Sequence, residues 1–126
     1  MSIVYASSAV LAILLDEPGA RRAAETLDHG VLSAVNASEV VARLIDQGAK
    51  DDDAGGALQG LDLAIRPFDE SLAVAAGLLR RSTRRRGLSL GDRACLALAL
   101  RERAPVLTAD RAWTELELDV EVELIR

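Results

Sequence analysis

Cysteine, lysine, histidine and the aromatic residues are nearly missing from this 126-residue chain. The single Cys95 excludes an internal disulfide and a cysteine-rich zinc site, and it fits a reducing cytosol. Lys50 is the only lysine and no Gly-x-x-x-x-Gly-Lys stretch occurs, so a phosphate loop is excluded, as is a receiver domain that needs a late-strand lysine. The aromatics are Tyr5, Phe68 and Trp113, too few for an RNA surface built from several stacking platforms. Gly87-Leu-Ser-Leu-Gly91 formally matches the nucleophile elbow of serine hydrolases. An arginine-rich segment precedes it instead of a strand, however, and the only histidine, His29, lies far upstream. No apolar run reaches the ~18 residues of a membrane span. The chain does not open on a basic segment followed by a long apolar stretch, so no signal peptide and a cytoplasmic location are expected. A net charge of −5 leaves no global basic field for nucleic acid.

Half of the residues are hydrophobic, mostly Ala, Val, Leu and Ile, and the length suits one domain over residues 1–126. Short apolar runs at 3–5, 31–34, 65–68, 105–108 and 120–125 read as strands. Between them lie helical stretches over 9–15, 18–29, 36–48, 51–61, a long one from Asp69 into the Arg80–Arg86 run, 92–103, and a turn or two over 110–116. Ser8, Asn36 and Asp69 are read as their caps. Strands alternating with helices predict an α/β/α sandwich with a mainly parallel sheet.

That arrangement makes three acids stand out. Glu39, Asp92 and Asp110 each follow an apolar run or a loop near a helix start, and ligands of open parallel sheets gather at the carboxyl ends of the strands. Carboxylates drawn together repel unless a cation neutralises them, and Mg²⁺ or Mn²⁺ suits an all-oxygen site. The fourth place of this kind, after the first strand, holds Ala6. Each acid also has a purely structural reading. Asn36-Ala-Ser-Glu39 and Ser89-Leu-Gly-Asp92 have capping-box spacing, and Asp110 suits a cap before residues 111–116. The run Arg80, Arg81, Arg84, Arg85, Arg86 reads either as a solvated helix end or as a local edge for RNA phosphates, the second reading falling on Arg84, Arg85 and Arg86.

Four stretches, taken in order, carry a family resemblance over essentially the whole chain. They are Ser2-Ile-Val-Tyr-Ala-Ser-Ser-Ala-Val-Leu-Ala12, Ser33-Ala-Val-Asn-Ala-Ser-Glu-Val-Val-Ala42, Leu88-Ser-Leu-Gly-Asp-Arg-Ala-Cys-Leu-Ala-Leu-Ala99 and Val106-Leu-Thr-Ala-Asp-Arg-Ala-Trp113. Together they resemble the motifs of PIN-domain toxins of the VapC type. The resemblance implies a PIN-like three-layer fold and a Mg²⁺- or Mn²⁺-dependent endoribonuclease of a type II toxin–antitoxin pair. It further implies a homodimer, neutralised by a small VapB-type antitoxin and acting on RNA. It places Glu39, Asp92 and Asp110 in the acidic catalytic and metal site, with Ser8, Asn36 and Thr108 lining it. The departure is Ala6, where the family pattern has an aspartate that ligates the metal. A methyl group cannot coordinate a cation, so weak metal binding and low activity are expected of this chain. The good order of the other motifs favours an inactivating substitution over a natural degenerate copy. The alternative reading is a catalytically dead PIN domain that binds antitoxin or RNA.

Overall fold

A computed structural model describes residues 1–126. Its centre is a five-stranded sheet in the order β3-β2-β1-β4-β5. The strands are β1 (Ile3–Tyr5), β2 (Gly30–Ser33), β3 (Ala64–Arg66), β4 (Val106–Thr108) and β5 (Val122–Leu124). Every neighbouring pair is parallel, and Val4 of the central strand stands opposite Val31 on one side and Val106 on the other.

The three inner strands are buried at every position, which is why they read as unbroken apolar runs without alternation. Side chains still alternate between faces. Val4, Val31 and Val106 join a core with Leu72 and Ala76 of α5 (Glu70–Leu78) and with Leu96 and Leu98 of α7 (Leu90–Glu102). Ile3, Tyr5, Leu32 and Leu107 join a second core under α1 (Ser7–Leu14), α2 (Ala20–Ala24), α3 (Ala34–Asp46) and α4 (Asp51–Gly60). The result is the three-layer α/β/α sandwich expected, with the sheet wholly parallel. The edge strands are less buried and carry charges that discourage edge-to-edge pairing. Arg66 Nε reaches Glu102 Oε1 at 2.8 Å, and Glu123 of β5 pairs with Arg22 at 3.6 Å. No helix is long and apolar enough to cross a membrane.

Several local expectations are corrected. Ser8 does not cap α1; the helix begins at Ser7 behind Ala6, which offers no side-chain cap. Asn36 is likewise not a cap but lies in the first turn of α3, whose cap is Ser33, accepting from Val35 N. In both cases the chain turns helical directly after the strand, so the polar side chain is free to reach across the sheet. The helix expected over 18–29 is broken into α2 and a single 3₁₀ turn at Leu27–His29. Thr26, between them, brings its hydroxyl to Tyr5 Oη at 2.8 Å. The helix expected from Asp69 through Arg86 divides into α5, α6 (Arg80–Thr83) and a 3₁₀ turn at Arg84–Arg86. Arg80 and Arg84, and Arg81 and Arg85, would repel at i,i+4 in one continuous helix. Thr83 Oγ1 also donates back to Leu79 O at 2.7 Å, a bond that bends helices.

Candidate active site

The chain runs outward from β1 through β2 to β3, then returns to the other side of β1 as β4 and continues to β5. The reversal lies between β1 and β4, where adjacent crossovers cover opposite faces and open a crevice at the carboxyl rim. Ala6 ends β1 at this point, buried, with its N–H on Leu107 O at 2.9 Å. The helix that follows packs against β1 and β4 and meets α3 on its other side. Successive residues in a helical turn point about 100° apart, so Ser7 and Ser8 face different ways. Ser8 turns toward β4: its Oγ accepts from Ala109 N at 3.0 Å and lies 3.3 Å from Thr108 Oγ1. Thr108, fully buried, accepts from Asp110 N at 3.1 Å. Ser8 and Thr108 therefore shape the turn that carries Asp110, and neither hydrogen-bonds to a rim carboxylate. Ser7 turns toward α3 and donates to Glu39 Oε1 at 2.6 Å.

Asn36 is buried and joins two elements through one amide nitrogen. Its Nδ2 donates to Glu39 Oε1 at 2.9 Å and to Gly91 O, in the first turn of α7, at 3.0 Å. Its Oδ1 is buried without a protein partner. Asp92 is in the capping box of α7: its Oδ2 accepts from Ser89 N at 3.1 Å, while Ser89 Oγ accepts from Asp92 N at 3.2 Å. Asp110 Oδ1 accepts from Ala112 N at 3.0 Å and caps the 3₁₀ turn Arg111–Glu115. The capping roles expected of Asp92 and Asp110 are present, whereas the capping box expected of Asn36 and Glu39 is not, because Ser33 caps that helix. Each carboxylate engages one oxygen in local structure and leaves the other, Glu39 Oε2, Asp92 Oδ1 or Asp110 Oδ2, without a protein hydrogen bond.

The acids feel one another's field. Partial burial raises the Asp92 carboxyl above the ordinary aspartate range; the Ser89 hydrogen bonds oppose this, and the negative charges of Glu39 and Asp110 add to it. The buried Cys95 thiol is pushed far up by desolvation first, then by Asp92 and Glu39. It is no nucleophile, because the reactive form of cysteine is the thiolate. No three acidic, histidine or cysteine side chains are grouped closely enough to hold a metal ion. The donors suit a hard divalent cation in kind, being all oxygen, but fall short in number. Ala6, directly after the central strand, supplies none.

Arg84, Arg85 and Arg86 form their own 3₁₀ turn, ahead of α7 in the chain. With Arg81 and Ser82 they line a groove of about 520 Å³, walled on the far side by Glu115 and Glu117. Arg86 is tied to that wall, its Nη1 3.2 Å from Glu115 Oε2. Arg81, Arg84 and Arg85 have no ion-pair partner. Along the chain, the arginine wall precedes Ser89–Asp92 and the glutamate wall follows Asp110. Two contributors escaped the sequence reading, Ser7 and Gly91. The tandem Ser7-Ser8 after a strand was a signal for the first; nothing local marks the second.

The PIN domain model matches residues 3–117. No curated protein matches the chain in sequence. Among solved structures the chain resembles DNA-bound VapBC from Salmonella typhimurium, at 14% identity and a TM-score of 0.80, over 100% of this chain and 99% of that one. It resembles VapBC2 from Rickettsia felis bound to a promoter DNA fragment, at 16% identity and a TM-score of 0.76, over 98% of each chain. It resembles VapBC-5 from Mycobacterium tuberculosis at 23% identity and a TM-score of 0.61, over 100% and 99% of the two chains. Identities this low speak for the fold alone. The family model is the stronger finding: spanning nearly the whole sequence, it makes this chain a member of the PIN-domain family.

Proposed function

We propose that this chain is the toxin component of a VapBC-type pair, a single PIN domain over residues 1–126 built as a Mg²⁺- or Mn²⁺-dependent endoribonuclease but of low activity itself. The observations that support this reading are the unengaged oxygens of Glu39, Asp92 and Asp110 near helix starts, the charges of Glu39 and Asp110 felt at Asp92, and a buried Ala6 after the central strand that offers no donor. Glu39, Asp92 and Asp110 are the catalytic and metal-holding residues in this reading, and Ala6 is the vacated ligand. When bound, the cation would supply charge neutralisation and Lewis acidity for phosphodiester hydrolysis. The protein's own part is to hold the carboxylates against their mutual repulsion. Arg84 and Arg85, with Arg86 paired alongside, guide RNA phosphates toward the rim. A VapB-type antitoxin is the proposed partner, consistent with solved relatives that are VapBC structures, some on DNA. The protein is proposed to act as a homodimer in the cytoplasm.

Ala6 also favours a second reading, a PIN module that only binds antitoxin or RNA. One substitution separates the two. Loss of an outer-shell partner already costs about 10–100-fold in metal affinity or activity, and a direct ligand weighs at least as much. Ala6→Asp should therefore raise Mg²⁺-dependent RNA cleavage by about 100-fold or more and arrest growth on expression, with Glu39→Gln cancelling both effects. An Ala6→Asp protein inert toward a broad RNA panel would establish the binding module instead.

A further inference from the structure

Glu39 and Asp92 carry like charges on two different helices, and Glu39 is a long, exposed side chain that could relieve the repulsion by swinging into solvent. Three contacts hold it in place. Ser7 Oγ donates to Oε1 at 2.6 Å, and Asn36 Nδ2 donates to the same oxygen at 2.9 Å. The third is a space: a Cβ built on Gly91 would come closer than 3.0 Å to Oε1, Oε2 and Cδ of Glu39. The carboxylate occupies the place where any other residue at position 91 would carry its side chain. Gly91 has no positive-φ conformation to explain it, and glycine is a poor residue for a helix interior. A side chain here would displace the Glu39 carboxylate, the end of a flexible side chain, so the glycine leaves room for that carboxylate to stay.

We infer that Ser7 and Gly91 are positioning residues for Glu39. The hydroxyl and the Asn36 amide engage Oε1, the missing side chain admits the carboxylate to the first turn of α7 beside Asp92, and Oε2 alone remains to act. What Oε2 then does rests on the proposed metal-dependent function; how Glu39 is held does not.

The clamp is tested first on the unmodified chain, without metal, through the ¹³C resonance of the Glu39 carboxyl, assigned by its loss in Glu39→Gln. Gly91→Ala and Ser7→Ala should each move the resonance, and Ser7→Thr, which keeps the hydroxyl, should leave it near its original position. Alanine is the better helix former, so Gly91→Ala retains α7, and circular dichroism verifies that. A resonance unmoved by both Gly91→Ala and Ser7→Ala overturns the inference. The second measurement is Mn²⁺ affinity of the Ala6→Asp protein by electron paramagnetic resonance. Gly91→Ala and Ser7→Ala should each weaken it by about 10–100-fold, and Ser7→Ala should add nothing once Glu39→Gln is present. An equal loss from Ser7→Ala in the Glu39→Gln background shows that the hydroxyl acts elsewhere and overturns its role. Failure of Ala6→Asp to bind Mn²⁺ at all defeats the metal-dependent reading, while the carboxyl resonance still decides the clamp.

Discussion

At the scale of single residues, the chain places its few polar aromatic and thiol groups where burial changes their chemistry. Tyr5, the only tyrosine, is fully buried and donates to Ala23 O at 2.5 Å, with Thr26 Oγ1 at 2.8 Å. Desolvation raises its phenol above the ordinary tyrosine value, with Thr26 and the nearby Arg22 opposing. The sign of the pH effect follows. In the unfolded chain the phenol ionises near 10.0 while the native phenol stays protonated, so the native state holds the proton longer. This contribution is fully present below that pH and declines as pH rises above it. The urea midpoint should therefore fall in alkali along with the unfolded-state titration, and phenolate absorbance should lag behind that of free tyrosine. Tyr5→Phe should abolish the phenolate absorbance, lessen the alkaline fall of the midpoint to the part that the buried Cys95 thiol contributes, and cost about 1–3 kcal/mol at neutral pH, because a buried carbonyl loses its donor. Phenolate absorbance that titrates at the free-tyrosine pH would contradict this account.

At the scale of elements, the rim depends on short turns anchored from below. The 3₁₀ turn after Asp110 is only five residues long, and its internal hydrogen bonds do not suffice to hold it. Trp113 fixes it: the indole is 2% exposed and packs into the core shared with α7 and Val4. Its Nε1 has no protein acceptor, so the anchoring is a matter of packing. Trp113→Ala should destabilise the fold by about 3–5 kcal/mol, while Trp113→Phe should recover much of that. As this is the only tryptophan, its emission in the parent protein reports directly on the turn. A parent emission maximum typical of exposed indole, or a Trp113→Ala midpoint equal to that of the parent, would refute the anchor. The same logic explains why the helix expected over residues 18–29 stops early. Its continuation would have removed Thr26 from the hydroxyl of Tyr5, and the tertiary contact outweighs the weak local preference for one more turn.

At the scale of the molecule, a net charge of −5 coexists with a local basic groove of four arginines. Nucleic-acid affinity follows local charge, and each phosphate contact to a single strand contributes about 0.7 to the slope of log affinity against log salt. Replacing Arg84 and Arg85 by Gln should weaken RNA binding at low salt and reduce that slope by about 1.4. Arg86→Gln should do less, since Arg86 is neutralised by Glu115. Filter binding of a short single strand across a salt series measures this, and an unchanged slope in the Arg84/Arg85 variant would remove the groove from the RNA path.

Much of this was legible before folding. The apolar runs read at 3–5 and 105–108 hold the strands Ile3–Tyr5 and Val106–Thr108, because burial on both faces demands continuous hydrophobicity, and Asp69 caps α5 as its residue type predicts. The three acids and the gap at Ala6 were visible in the same way, since a motif keeps its residues close along the chain. The partners of those acids were not. Asn36 read as a cap by spacing and as a lining residue by the family resemblance, but only the packing of α3 against α7 made its amide a link between Glu39 and Gly91 O. Gly91 read as an ordinary loop glycine, because the atom it makes room for lies 52 positions earlier in the chain. The amino-acid sequence by itself determined the alternation of elements and the layer architecture, which follow from local periodicity and residue type. The tertiary structure alone decided which oxygen of each carboxylate is engaged, why position 91 is glycine and which arginine is already paired. Those are contacts between elements, and their geometry exists only once parallel strands far apart in the chain have brought their carboxyl ends to one rim.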